Sequence, residues 1–100
     1  MLWVINCTAI PNAEELREKH MATHGAYLKS RKDIIVLAGA TVRDDGTKFL
    51  GSVRVIKVNT RAEAEAFSDG DPFVQAGMFS SITMTRMRKG QWNPEVGKDA

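Results

Sequence analysis

Apolar and polar positions along this chain change period several times, and each change marks an element. Residues 2–8, Leu-Trp-Val-Ile-Asn-Cys-Thr, are rich in β-branched and aromatic side chains and predict a strand that Pro11 ends. Asn12-Ala-Glu-Glu15 has the spacing of a capping box, with Asn12 as N-cap and Glu15 reaching back. A helix of about four turns is expected to follow. It would carry Leu16, His20, Thr23, Tyr27 and Leu28 along one stripe. Gly25 lies inside that run, where it costs about 1 kcal/mol relative to Ala. A Gly in this place predicts close packing against another backbone.

Ile34-Ile-Val-Leu-Ala38 is an unbroken apolar run of the kind that a central strand covered on both faces carries, and Gly39 and Ala40 leave space beside it. Asp44-Asp45-Gly46 is a turn signal leading to a return strand from about Gly51 to Val58. Thr60-Arg-Ala-Glu63 is a second capping box and opens a helix reaching Ser68. Asp71-Pro72 starts a short helix, because Asp caps the first free N–H groups and Pro fits the first helical position; Gly77 closes it. Phe79 to Met87 is the last strand, with Ile82 and Met84 facing one way.

The order is β-α-β-β-α-(short helix)-β, two βαβ halves in one chain. It predicts a ferredoxin-like α+β fold, one four-stranded antiparallel sheet with helices on one face. The other face of such a sheet is bare. The first two strands place apolar residues on both faces, and no residues are left over to cover the second. The simplest cover is the same face of a second copy, giving a two-fold homodimer packed sheet against sheet. The expected domain spans 1–90, followed by a C-terminal tail, 91–100, containing Pro94 and Gly97.

Composition narrows the function classes. One hundred residues make one small domain, and 43% hydrophobic with 26% charged residues is ordinary for a soluble globular chain. A net charge of +2 is too small to argue for nucleic acid, and Arg86, Arg88 and Lys89 read as the exposed end of a strand. No apolar run approaches the ~20 residues of a membrane span. The opening Met1-Leu2-Trp3-Val4-Ile5 lacks the basic start of a signal peptide. The single Cys7 suits a reducing, cytoplasmic location and reads as a buried, inert thiol.

His24 and Asp71 are the residues of most chemical interest, since a His and an Asp are the minimum kit for moving a proton near neutral pH. Asp71 has a plain use as an N-cap, and one carboxylate can cap and accept from an imidazole at once. Arg17 lies two helical turns before His24, roughly 10 Å along the axis. Its ordinary use is a salt bridge to Glu14 or another acid, and its functional use would be to anchor a substrate carboxylate. His20 and His24 are spaced i, i+4, but the residues between them are not those of a zinc-protease helix and there is no further His, so neither metal nor cofactor is expected. Ser80 and Ser81 have no nucleophile elbow around them, and no phosphate loop is present. An RNA-recognition domain shares the element order, yet Gly51-Ser-Val-Arg-Val-Ile-Lys-Val58 has no stacking aromatic.

Arg17, His24 and Tyr27-Leu28, then Gly39, Gly51-Ser52 and Asp71-Pro-Phe-Val-Gln-Ala-Gly77, together resemble the signature of the YciI-like (YCII-related) family. The resemblance runs from Leu2 to about Arg88, with the Asp-Pro-Phe segment its most specific part. It implies a dimeric α+β barrel, similar in architecture to muconolactone isomerase, in a family with one branch that dehydrochlorinates a chlorinated hydroquinone derivative. The family's paired His and Asp correspond to His24 and Asp71, and Gly25 stands where relatives often have Leu. Two readings stay open. One is a small metal-free lyase, isomerase or dehydrohalogenase acting on an organic acid, lactone or ring. In it His24 is acid/base, Asp71 orients it, Arg17 steadies charge, Phe73 forms an apolar wall and Gly39 allows close approach. The other is a non-catalytic domain that binds a small molecule or a protein partner.

Overall fold

A computed structural model describes residues 1–100. The chain runs β1 (Leu2–Ala9), α1 (Glu14–Ser30), β2 (Ile35–Val42), β3 (Phe49–Lys57), α2 (Arg61–Asp69), α3 (Pro72–Gln75) and β4 (Phe79–Met87). The four strands form one sheet in the order β2-β3-β1-β4, and every pairing is antiparallel. This is the ferredoxin-like β-α-β-β-α-β arrangement, with the helices on one face.

Alternation along the strands decides which residues meet the helices. Trp3, Ile5 and Cys7 of β1 point inward and are buried, as are Ser52, Arg54 and Ile56 of β3. Phe67 and Ala64 of α2 close over Trp3, Ile5 and Ile56. Ala13, Phe73 and Met78 form a smaller second cluster, and Phe79 packs against both. Burying such side chains stabilises the fold by roughly 1.5–3 kcal/mol each.

Local signals explain most boundaries. Thr60 accepts from the Glu63 N–H at 3.1 Å, and the Glu63 carboxylate accepts from the Asn59 N–H at 3.2 Å, so the second capping box is formed one residue wide of its usual return bond. Gly46 and Gly77 take φ of 76° and 73°, and they end the β2–β3 turn and α3. Gly51 sits where β1 and β3 approach so closely that a Cβ would collide with the Cys7 carbonyl oxygen.

Three expectations are corrected. Asn12 is not an N-cap. It adopts φ 59°, a left-handed conformation Asn tolerates, and α1 begins after Ala13 with no side-chain cap. β2 is an edge strand rather than a central one, and its apolar run leaves Leu37 67% exposed. Gly25 packs against no backbone, because a Cβ there would meet nothing within 4 Å.

Candidate active site

α1 carries no fully buried residue; its inward row is Leu16, Arg17, His20, His24, Tyr27 and Leu28, all half-buried. Thr23, expected on that row, is exposed instead, and its hydroxyl donates to the His20 carbonyl at 3.1 Å. The α1 axis therefore turns His24 toward the start of α3. There the Asp71-Pro72 signal places a carboxylate at the helix mouth, where Asp71 Oδ1 accepts from the Phe73 N–H at 2.9 Å.

The same oxygen stands 2.8 Å from His24 Nδ1. His24 is 13% exposed at its side chain and Asp71 is fully buried. An ionised carboxylate only accepts hydrogen bonds, so Nδ1 carries a proton, and in the neutral imidazole Nε2 is then the nitrogen with the free lone pair. Phe73 adds a second constraint, with its ring stacked on the imidazole at a centroid distance of 3.8 Å and 8° between planes. One edge and one face of His24 are thus fixed, and no protein group bonds Nε2.

Asp71 has a further partner from the sheet. Arg54 Nη2 lies 2.6 Å from Asp71 Oδ2, and both side chains are completely buried. The two groups meet at poor hydrogen-bond angles, so the contact is charge against charge, and Arg54 Nη1 has no partner. Arg54 Nε donates to Ser52 Oγ at 2.8 Å, and the guanidinium lies 5.5 Å from the Phe79 ring centroid. Burial pushes the Asp71 carboxyl up, but the His24 hydrogen bond, the Arg54 charge and the Phe73 N–H outweigh it, leaving the group below the usual carboxylate range. Asp71 therefore stays ionised and holds His24 in one tautomer.

A recess of about 100 Å³ opens beside this cluster between α1 and the sheet. Arg17, His24, Gly39, Ser52 and Phe73 line it, with Ala38 and Ala40 keeping the β2 wall thin. It adjoins a wider cleft of about 570 Å³ toward the β2–β3 turn, and the two share Arg17, Met21 and Phe49. Arg17 makes none of the expected salt bridges; its guanidinium lies 4.8 Å over the Phe49 ring and its buried Nε has no partner. Of the five residues singled out in the sequence, His24, Arg17, Gly39 and Phe73 line this recess, while Asp71 is fully buried behind His24. His20 and His24 gain no third ligand, since no group of three His, Cys, Asp or Glu side chains stands together.

The YCII-related domain model matches residues 1–88. The chain belongs to the YCII-related family. Among solved structures, this YCII-related chain is similar to 5-chloro-2-hydroxyhydroquinone dehydrochlorinase (TftG) from Burkholderia phenoliruptrix AC1100, determined in complex with 2,5-dihydroxybenzoquinone. The TM-score is 0.83 at 29% identity, over 90% of this chain and 96% of that one. Rv0793 from Mycobacterium tuberculosis superimposes at a TM-score of 0.47 and 11% identity, over 90% of this chain and 97% of its own, too weakly to bear on function. No curated protein sequence matches the chain.

Two residues beside the His24–Asp71 pair, Arg54 and Ser52, were not among the candidate site residues. An Arg in a strand reads as solvent-facing, yet the alternation Ser52, Arg54, Ile56, Val58 puts it on the side of two buried aliphatic residues. That parity was the available signal.

Proposed function

We propose that this YCII-related protein is a small enzyme of the lyase, isomerase or dehydrohalogenase type, with His24 as acid/base. The observation that carries this is the 2.8 Å contact between His24 Nδ1 and a buried, ionised Asp71, beside a recess that His24 lines. His24 Nε2 takes a proton from the substrate, and the electron pair of the broken bond moves into the substrate. Either a leaving group departs with its own bonding pair, or the proton returns at another carbon. The imidazolium formed is balanced by Asp71, whose other oxygen is held by Arg54. Arg17, with a buried Nε lacking a partner, anchors an anionic substrate oxygen. Gly39 leaves room on the β2 wall, and Phe73 both stacks on His24 and supplies an apolar surface. The likeness to a dehydrochlorinase supports elimination on an oxygenated ring as the first chemistry to try.

The test is chloride release from 5-chloro-2-hydroxyhydroquinone by the protein and by His24→Gln. Loss of about a hundredfold or more in the variant, with unchanged melting, is expected of an acid/base residue. A compound that raises the melting temperature but is never transformed would favour the binding-domain reading.

The working unit in this proposal is a homodimer in a reducing cytoplasm, joined by the bare sheet faces. On that face the strand register sets Val4 opposite Val55 and Val55 opposite Leu37, with Leu2 opposite Met87. Leu37 and Met87 are 67% and 44% exposed in the single chain, an apolar surface that a second copy would cover. No helix is long and apolar enough to cross a membrane.

A further inference from the structure

Arg54 and Asp71 are the two charged side chains that the fold buries completely. Asp71 divides its oxygens between two partners: Oδ1 stands 2.8 Å from His24 Nδ1, and Oδ2 stands 2.6 Å from Arg54 Nη2. No other acid reaches the guanidinium, whose Nε donates to Ser52 and whose Nη1 has no partner. The remaining elements around His24 bring little charge. The β2 wall is Ala38, Gly39 and Ala40. Cys7 on β1 and Tyr27 on α1 are both pushed up by burial and stay neutral. α1 also carries Arg17, which lines the recess, and His20 one turn before His24.

A buried carboxylate beside an imidazole, with no cation of its own, draws a second proton onto the ring. Such a histidine is charged at rest and has no lone pair with which to take a proton from a substrate. Arg54 cancels the charge of the carboxylate. The buried trio of His24, Asp71 and Arg54 is then neutral while Nε2 is free, and it becomes cationic only after the transfer.

We infer that Arg54 is a positioning residue for the proton transfer, acting through Asp71: it keeps His24 a neutral base at rest and readies the imidazolium to give its proton up. The inference rests on the acid/base reading above. In the forward step the substrate C–H bond breaks, its proton forms the Nε2–H bond, and its electron pair stays with the substrate. The charge of Arg54 opposes that uptake and favours the return of the proton, so it balances the two halves of the cycle without touching the substrate.

The experiment follows the ring ¹⁵N resonances of His24 against pH in the parent, Arg54→Met, Arg54→Lys and Asp71→Asn, with His20 as the control. Arg54→Met should raise the His24 midpoint by about one pH unit, and Arg54→Lys, which keeps the charge, should stay within about 0.3 of the parent. Asp71→Asn should lower it. A folded Arg54→Met whose midpoint is unchanged or lower, or a rise in Arg54→Lys as large as in Arg54→Met, would assign Arg54 to packing alone and overturn the inference. The dyad would survive that result so long as His24 responds to Asp71→Asn. A His24 that ignores Asp71→Asn as well would remove the acid/base reading, and the part of Arg54 with it. Where Arg54→Met does not fold, the parent decides. Its Arg54 Nη resonances should shift with the His24 midpoint, and resonances that stay flat through that titration would overturn the inference.

Discussion

Arg54 on β3 and Asp71 at the start of α3 meet with no solvent access, Nη2 to Oδ2 at 2.6 Å and both side chains 0% exposed. A buried ion pair of this kind is weak evidence for net stability, because desolvating two charges offsets much of their attraction. Its value lies in placement: it ties the central sheet to the residue that orients His24. Removing either partner alone leaves an uncompensated buried charge and should cost about 3–5 kcal/mol. Arg54→Met and Asp71→Asn are therefore expected to be strongly destabilised in urea, and the double variant less than their sum. Single variants as stable as the parent would show that the pair is not buried in solution.

Acid should weaken the fold through Asp71. Its folded carboxyl is depressed, so the unfolded chain binds the proton more readily and stability rises with pH across that interval. The contribution is complete above the unfolded carboxylate value of about 4 and is lost as pH falls through the lower folded value. The stability difference between the parent and Asp71→Asn should thus shrink on acidification below about pH 4. Asp45, held down to about 2 by Arg43 and Thr47 in the exposed turn, is present in both proteins and cancels from the comparison. A difference that stayed constant to pH 2 would mean that Asp71 is not preferentially ionised in the fold.

Three glycines separate packing from propensity. Gly25 lies in a helix with open space around it, so Gly25→Ala should stabilise by about 0.5–1 kcal/mol. Gly70 sits under the Tyr27 hydroxyl, 2.5 Å from where a Cβ would lie, and that hydroxyl donates to the Phe67 carbonyl at 2.8 Å. Gly70→Ala should displace Tyr27 and cost about 1–3 kcal/mol. Gly51→Ala should be worse than Gly70→Ala, because the atom in its way is backbone. Thermal melts rank the three, and the reverse order would mean the β1–β3 approach is looser than the structure has it.

Leu37 and Val55 lie side by side on the bare face of the sheet. Leu37→Glu with Val55→Lys should leave the domain folded but shift its sedimentation from two copies to one. A parent protein that sediments as a monomer at high micromolar concentration would remove the dimer from the proposal.

How much of this was legible in the sequence differs element by element. The strand and helix order followed from changes of period, and Asp71-Pro72 announced its helix because capping is local chemistry. Asn12 misled because its i, i+3 spacing to Glu15 suits a cap, while the chain needed a left-handed residue to turn from β1 into α1. The run Ile34–Ala38 suggested a central strand, but apolar character on both faces does not set strand order. The site was half legible. His24, Asp71, Arg17, Gly39 and Phe73 were picked out, largely through a resemblance; Ser52 stood in that resemblance without a role, and Arg54 needed the parity of β3 to be followed past a charged residue.

The proposed chemistry depends most on which nitrogen of His24 carries the proton. Long-range ¹H–¹⁵N correlation on the neutral imidazoles reads this directly, with His20, whose ring makes no hydrogen bond in the structure, as the internal control. The expected result is a single Nδ1–H tautomer for His24, lost in Asp71→Asn, against a mixture for His20 in both proteins. A His24 that carries its proton on Nε2, or that matches His20 and ignores Asp71, would contradict the dyad and leave Asp71 as a helix cap paired with Arg54.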